Sequence, residues 1–154
     1  MKSFAGRFFF FVFVAKIIVL GMFLIAFGEN RLVWADAPTY LNLGRNVALG
    51  KGFALTSPEG AITPNTRFMP LYPALIGFSS LLPHGFVVVS MLQAAAAAGI
   101  SVFFYKIGLF FVPQRWAAGS ALVATFEPLI SAIHILVMPE TFFVLFLAGF
   151  VYFF

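Results

Sequence analysis

Long apolar runs dominate the hydropathy pattern of this chain, and one polar stretch interrupts them. Three runs reach the roughly 20 residues that an α-helix needs to cross a bilayer, and a fourth begins near the end. The pattern predicts an all-α fold: one polytopic transmembrane helix bundle over residues 1–154, with surface helices in a long outer first loop. The predicted spans are 8–28, 86–105, 116–137 and 141–154, and the outer loop is 29–85.

The polar stretch, residues 29–73, holds seven of the 14 Lys, Arg, Asp and Glu residues. Asp36 precedes a segment with helical spacing that ends near Leu49. Most of its apolar residues share one helical face, and Arg45 and Asn46 are expected to point elsewhere. This pattern is typical of a helix that lies along a membrane surface.

The remainder of the outer loop decides the predicted topology. Residues 50–66 are rich in Gly, Pro, Ser, Thr and Asn and are interpreted as loop. Residues 71–82 are apolar, but Pro73 and Pro83 bracket them and the run is only about 12 residues long. A run of that length favours an interfacial or re-entrant segment over a span.

If residues 71–82 do not cross, the charges sort by side of the membrane. Lys106 and Arg115 then share the inner side with the basic N-terminus, as the positive-inside rule prefers. Glu140 falls on the same outer side as Asp36. The non-crossing topology is therefore preferred.

The two ends of the chain carry further expectations. The first apolar run is longer than the roughly 7–15 apolar residues of a signal peptide, which predicts an uncleaved helix. The sequence stops inside an apolar run at Phe154. We therefore expect it to be the N-terminal part of a longer polytopic protein.

Composition agrees with a membrane protein. Hydrophobic residues make up 62% of the chain and charged residues 9%, and the mean hydropathy is +1.05. Soluble domains carry about 25% charged residues. The chain has no cysteine, so disulfides and thiolate metal sites are excluded. Its net charge of +4 is scattered, which argues against nucleic-acid binding because that needs a contiguous basic face.

Two acidic residues are candidates for catalysis. Asp36 is either the N-cap of the surface helix or a catalytic carboxylate at the outer membrane boundary. Glu140 is either a first-turn acid favoured by the helix dipole or the partner of Asp36. Two neighbouring carboxylates can divide the roles of base and metal ligand.

Three cationic residues are candidates for binding a phosphate: Arg67, Arg45 and Lys51. The alternative is that they are ordinary surface charges. Arg67 is favoured because it lies close in sequence to the turn formed by residues 70–73. Tyr72 is interpreted most simply as an interfacial anchor.

Ionisable residues inside predicted spans are costly and usually paired or functional. Lys16 and Glu127 lie in such spans, and Pro128 follows Glu127 as an expected kink. A Lys16–Glu127 ion pair is therefore a hypothesis. His84 and His134 share no ligand spacing and are interpreted as interfacial histidines.

The order of several short motifs resembles the N-terminal part of the GT-C glycosyltransferases, the group that holds protein O-mannosyltransferases and the lipid A aminoarabinose transferase. An apolar first helix is followed by the motifs Asp36-Ala37-x-x-Tyr40, Leu43-Gly44-Arg45-Asn46, Gly50-Lys51-Gly52-Phe53, Arg67-Phe68-Met69-Pro70-Leu71-Tyr72-Pro73 and Met138-Pro139-Glu140. The resemblance covers nearly the whole chain.

This resemblance implies transfer of a sugar from a polyprenyl-phosphate donor at the non-cytoplasmic face. It implies that Asp36 is general base or orients the acceptor, that Glu140 supports it, and that Arg67 meets the donor phosphate. Pro70 and Tyr72 would shape the lipid entrance, while Tyr40, Arg45 and Lys51 are further substrate-binding candidates. A divalent metal at Asp36 and Glu140 is left open, since Ala37 stands where many relatives have a second acid.

The partners implied are the donor, the bilayer and an acceptor glycan, lipid or protein. The implied location is the bacterial inner membrane, with the active loop facing the periplasm or exterior. The rival hypothesis is a non-enzymatic membrane protein, either a transporter fragment or a bundle subunit. Lys16, Gln93 and Glu127-Pro128 support that rival, because transporters place polar residues near mid-membrane on broken helices.

Overall fold

The chain is largely helical, as the hydropathy pattern predicts. A computed structural model describes residues 2–34 and 36–154, except for the side chains of residues 2 and 3. The side chain of Lys2, counted above in the basic N-terminus, therefore lies outside the described part. The elements are α1 (Lys2–Phe27), a 3-10 turn (Glu29–Leu32), α2 (Ala37–Ala48), β1 (Ala54–Thr56), β2 (Ile62–Pro64), α3 (Leu71–Ser79), α4 (Gly85–Gly108), α5 (Gln114–Phe126), α6 (Pro128–Ile135) and α7 (Glu140–Phe153).

Within the described part of the chain, two helices are long and apolar enough to cross a membrane. They are the Phe4–Phe27 part of α1 and the whole of α4, each with 24 residues. At 1.5 Å per residue each is about 36 Å long, against a hydrocarbon core of about 30 Å. The α5–α6 pair would be a third such element if it counts as one bent span. The nine residues of α3 are too few to cross.

The run predicted as a single span over residues 116–137 is bent by 62° between α5 and α6. Pro128 opens α6, and the Glu127 carboxylate accepts a hydrogen bond from the Ile130 amide at 2.8 Å. The predicted kink is therefore present. Its cause is local, because proline donates no backbone hydrogen bond and Glu127 caps the helix that follows.

Lys16 is buried against this bend, and the predicted Lys16–Glu127 ion pair is wrong. The Lys16 ammonium donates to the Thr125 carbonyl at 2.7 Å and to the Ser131 hydroxyl at 3.0 Å. It also lies 4.8 Å from the centre of the Phe126 ring. A helix break frees carbonyls that must find hydrogen-bond donors within the protein. Lys16 is the donor to the Thr125 carbonyl, and Glu127 stays exposed.

Helix α4 lies at the centre of the fold and contacts α1, α3, α5, α6 and α7. Small side chains from Ala94 to Ala98 line much of its buried surface. Small residues let neighbouring helices approach closely.

The predicted helix after Asp36 is present as α2, and it crosses α3 at a pair of glycines. A Cβ added to Gly44 would lie 2.7 Å from the amide nitrogen of Gly77 and would also collide with the carbonyl of Pro73. A Cβ on Gly77 would meet the backbone of Gly44 in the same way. The two backbones therefore touch directly, and this crossing sets the distance between α2 and α3.

We expect Gly44→Ala to lower the free energy of unfolding by about 1–3 kcal/mol, the usual cost of overpacking a closely packed site. Thermal unfolding of the detergent-solubilised protein measures the change. Gly119→Ala on α5 is the matched control, since nothing lies within 4 Å of a Cβ added there. Equal melting temperatures for the two variants would show that the glycine crossing is not tight.

The segment interpreted as loop contains a short hairpin. Strand β1 pairs antiparallel with β2, with Leu55 opposite Thr63. The hairpin covers the side of α2 that carries Asn46, which is only 3% exposed. The sequence did not predict this burial of Asn46, because the segment that its amide binds was interpreted as loop.

Candidate functional site

A cavity of about 830 Å³ lies between α2, the start of α3 and the start of α7. Four residues singled out from the sequence meet there although they are far apart in the chain: Tyr40, Arg67, Tyr72 and Glu140. Apolar side chains form the rest of the wall. They are Phe68, Met69, Leu71, Leu75, Pro139, Phe142, Phe143 and Phe146.

Packed aromatic rings hold the two tyrosines of this cavity. The Tyr40 ring meets Phe68 and Tyr72 edge to face, with centroids 5.0 Å and 5.4 Å apart. Tyr72 continues to Phe142 on α7 at 6.1 Å. Such pairs are favoured geometries for aromatic side chains, so the wall is a connected set of rings that joins α2, α3 and α7.

Tyr40 lies within the electrostatic reach of three charged candidates. Burial raises the pKa of its phenol, the carboxylates of Glu140 and Asp36 raise that pKa further, and Arg67 opposes them. Asp36 does not line the cavity, but its charge acts on the same phenol as those of Glu140 and Arg67. The two candidate acids and the candidate phosphate ligand therefore surround one residue.

Tyr72 connects the cavity to the buried interior. Burial, with smaller contributions from Glu140 and Tyr40, raises the pKa of its phenol, so the hydroxyl stays protonated. That hydroxyl donates to the Oε1 atom of Gln93 at 3.4 Å. Tyr72 is 7% exposed and lines the cavity, while its role as an interfacial anchor stays a prediction.

Asp36 immediately precedes α2, but its side chain makes no capping hydrogen bond to that helix. Instead, Pro38 lies in the first turn of the helix. Backbone N–H groups in a first turn have no intrahelical acceptor, so a proline there costs the helix no hydrogen bond. The Asp36 side chain is exposed. The N-cap interpretation therefore does not account for this carboxylate.

Glu140 begins α7, and Gln93 binds the connection that precedes it. In the sequence Gln93 was interpreted only as support for a transporter. The Gln93 amide donates to the carbonyls of Leu136 and Met138 at 2.8 Å and 3.2 Å, in the connection that precedes Glu140. Gln93 is fully buried. A glutamine in the apolar α4 could have indicated a buried hydrogen-bonding site, but the sequence does not identify its hydrogen-bond partners.

Arg45 and Lys51 do not join Arg67. They line a separate pocket of about 380 Å³ beside the hairpin. Pro70 lines neither cavity and occupies the N-cap position of α3. The six substrate-binding candidates therefore divide between two pockets and one helix start.

Within the described residues, no three His, Asp or Glu side chains gather into a group that could hold a metal ion. Asp36 and Glu140 alone offer fewer ligands than an all-protein site for Ca²⁺ has.

The fold and site together define a helical chain with two or three helices able to span a membrane and an apolar cavity whose edge is charged. Comparisons with protein families, with curated proteins and with solved structures gave no match.

Proposed function

We propose that this chain carries the donor site of a multi-pass membrane glycosyltransferase, which moves a sugar from a polyprenyl-phosphate donor to an acceptor at the non-cytoplasmic face. The observation that supports it is the cavity that joins Arg67, Glu140, Tyr40 and Tyr72 on a wall of Phe, Leu and Met side chains. The donor has an apolar tail and an anionic phosphate, and this cavity offers a surface for each.

The proposed topology puts the cavity on the outer side of the membrane. Arg7, Lys106 and Arg115 then lie on the inner side, and α2 lies along the outer surface. In a bacterium this is the inner membrane with the cavity facing the periplasm. The donor tail enters from the bilayer past Phe143 and Phe146, which are 67% and 62% exposed.

The transfer step follows from the groups around Tyr40. An acceptor hydroxyl attacks the anomeric carbon of the donor sugar, and the bond from that carbon to the phosphate oxygen breaks. Asp36 or Glu140 takes the proton of the attacking hydroxyl as general base. The released polyprenyl phosphate carries the electron pair of the broken bond, and the Arg67 guanidinium stabilises its charge.

The non-enzymatic alternative rests on Lys16, Gln93 and the broken α5–α6 pair, but these polar groups already have partners. Lys16 binds Thr125 and Ser131 and packs on Phe126. The two amide hydrogens of Gln93 serve the α6–α7 connection. A transport site needs groups that can exchange partners with a substrate, so the glycosyltransferase is the better-supported proposal.

The test is transfer of a radiolabelled sugar from a polyprenyl-phosphate donor by the full-length protein in proteoliposomes. Release of polyprenyl phosphate together with a labelled acceptor supports the proposal. Uptake of the sugar without any bond cleavage supports the transporter instead and overturns it.

We expect Arg67→Gln to raise the KM for the donor roughly 10- to 100-fold, the effect of losing one charge-assisted hydrogen bond. Arg115→Gln is the matched control, because each arginine is exposed and lies over the aromatic ring that follows it, Phe68 and Trp116 respectively. Steady-state kinetics at varied donor concentration measure the difference. An unchanged KM would remove Arg67 from the donor site.

A further inference from the structure

A second pocket, separate from the cavity just described, lies between the C-terminal half of α2 and the hairpin. Its volume is about 380 Å³. It is lined by Leu41, Asn42, Arg45, Asn46, Leu49, Lys51 and Thr56. The proposed transfer reaction makes no use of it.

Two amide side chains, the half-buried Asn42 and the buried Asn46, fix the wall of this pocket. Asn46 donates to the Ala54 carbonyl at 2.6 Å and to the Thr56 hydroxyl at 2.9 Å. Asn42 donates to the Thr56 carbonyl at 2.8 Å and accepts from the Thr56 amide at 2.9 Å. These bonds tie β1 to α2, so the pocket is a built feature of the fold.

The pocket has two cationic side chains and no acidic one. Arg45 and Lys51 are both exposed, and the ion pair formed among the described residues is His84–Glu29, which contains neither. The two amide side chains in the wall are neutral and are used by the hairpin. An anion that enters the pocket therefore meets two positive charges without a competing carboxylate in the lining.

The end of α2 does not cancel this charge. A helix C-terminus carries partial negative charge on its unpaired carbonyls. Here the carbonyls of Arg45, Val47 and Asn46 accept hydrogen bonds from the amides of Leu49, Gly50 and Lys51 at 2.9, 3.1 and 2.8 Å. Because these carbonyls are paired, the two side-chain cations dominate the local field.

We propose that this pocket binds the phosphate of an anionic bilayer lipid. Leu41 and Leu49 form an apolar lip beside the cations, and Leu49 is 56% exposed. A basic face next to exposed leucine is the pattern by which interfacial helices recognise anionic lipid surfaces. A free phosphate would satisfy the cations but would leave the apolar lip in water, so the lipid headgroup fits the whole lining.

The experiment uses the full chain, purified and reconstituted in nanodiscs of phosphatidylcholine with and without phosphatidylglycerol. Native mass spectrometry counts the phosphatidylglycerol molecules retained. We expect selective retention, with Arg45→Gln and Lys51→Gln each weakening it about fivefold, the effect of one basic residue near an anionic surface. Arg45→Lys keeps the charge and is expected to retain most of the binding. Arg31→Gln, an exposed arginine outside the pocket, is the control.

A second arm titrates inorganic phosphate into the protein in neutral detergent, followed by calorimetry. Phosphate binding that depends on Arg45 and Lys51, without selectivity for phosphatidylglycerol, would overturn the lipid assignment and show that the pocket binds a soluble phosphate. The proposal would also be overturned if the variant that combines Arg45→Gln with Lys51→Gln retained phosphatidylglycerol at the wild-type level and no phosphate binding was measured. Circular dichroism of each variant confirms that the helices remain folded. None of these readouts requires sugar transfer.

Discussion

Asp36→Asn and Glu140→Gln are expected to reduce sugar transfer, with the larger loss, roughly 10²- to 10⁴-fold in kcat, at whichever carboxylate is the base. Each substitution keeps the size of the side chain and removes its ability to accept a proton. The KM for the donor should change little, because the donor phosphate is assigned to Arg67. Initial rates with a saturating polyprenyl-phosphate donor measure the loss.

The control for this prediction is Glu59→Gln. Glu59 is exposed near the turn of the hairpin, and a hydrogen bond from Ser57 lowers the pKa of its carboxyl, so it carries a full charge in the same loop. It lines neither pocket. Removing it should leave the rate within about twofold of wild type, as for a surface change of about 0.5 kcal/mol or less. If transfer survives both Asp36→Asn and Glu140→Gln, neither residue is the base.

The helices of this chain could be predicted from local pattern because their causes are local. Apolar length predicts α1 and α4, and the positive φ of Gly50 follows the end of α2 where a stop was expected. The hairpin was missed because its three-residue strands are too short for an alternating pattern to show. What stabilises it is also distant, since Asn42 binds Thr56 across 14 residues.

The interior polar groups show a second limit of the sequence. A charge in a span suggests an opposite charge as its partner, which gave the wrong pair for Lys16. Its actual acceptors include the Thr125 carbonyl, a backbone atom that becomes available only because the helix breaks. Side-chain identity reveals possible ion pairs, but it does not reveal which backbone carbonyls lack a donor.

The candidate site was predictable in part. Arg67 and Tyr72 are near in sequence and line the same cavity, and Glu140 joins them there although it is far away in the chain. Arg45 and Lys51 were grouped with Arg67 by charge alone, and the fold places them in a different pocket. The Gly44–Gly77 crossing that orients α2 on α3 could not be foreseen, because a glycine pattern does not identify its partner.

The second large effect is expected at Gln93. Its amide nitrogen lies within 3.4 Å of four acceptors, among them the Leu136 carbonyl, and its oxygen accepts from Tyr72. Gln93→Leu keeps a side chain of similar bulk but removes both amide hydrogens and the acceptor. Since each unsatisfied buried polar group costs about 1–3 kcal/mol, we expect the free energy of unfolding to fall by about 2–4 kcal/mol.

Membrane proteins often lose less than this when one interhelical hydrogen bond is removed, on average about 0.6 kcal/mol. Gln93 differs because two of its acceptors, the carbonyls of Leu136 and Met138, belong to the connection between α6 and α7, where carbonyls have left the helical pattern. The matched control is Ser101→Ala, which removes a buried hydroxyl two turns further along α4 that bonds Thr125 at 2.6 Å and its own helix at Ala97. That change should cost about 1 kcal/mol or less.

Hydrogen exchange separates a general loss of stability from the specific role of Gln93. In Gln93→Leu the amides of residues 136–138, 140 and 141 should exchange faster than those of the remainder of α7, while Ser101→Ala should leave the contrast unchanged. Since Glu140 lies in that segment, its loosening should also lower the transfer rate without altering the affinity for phosphatidylglycerol at the separate Arg45–Lys51 pocket. Uniformly faster exchange throughout α4 and α7 would instead show that Gln93 stabilises the bundle as a whole and does not position Glu140.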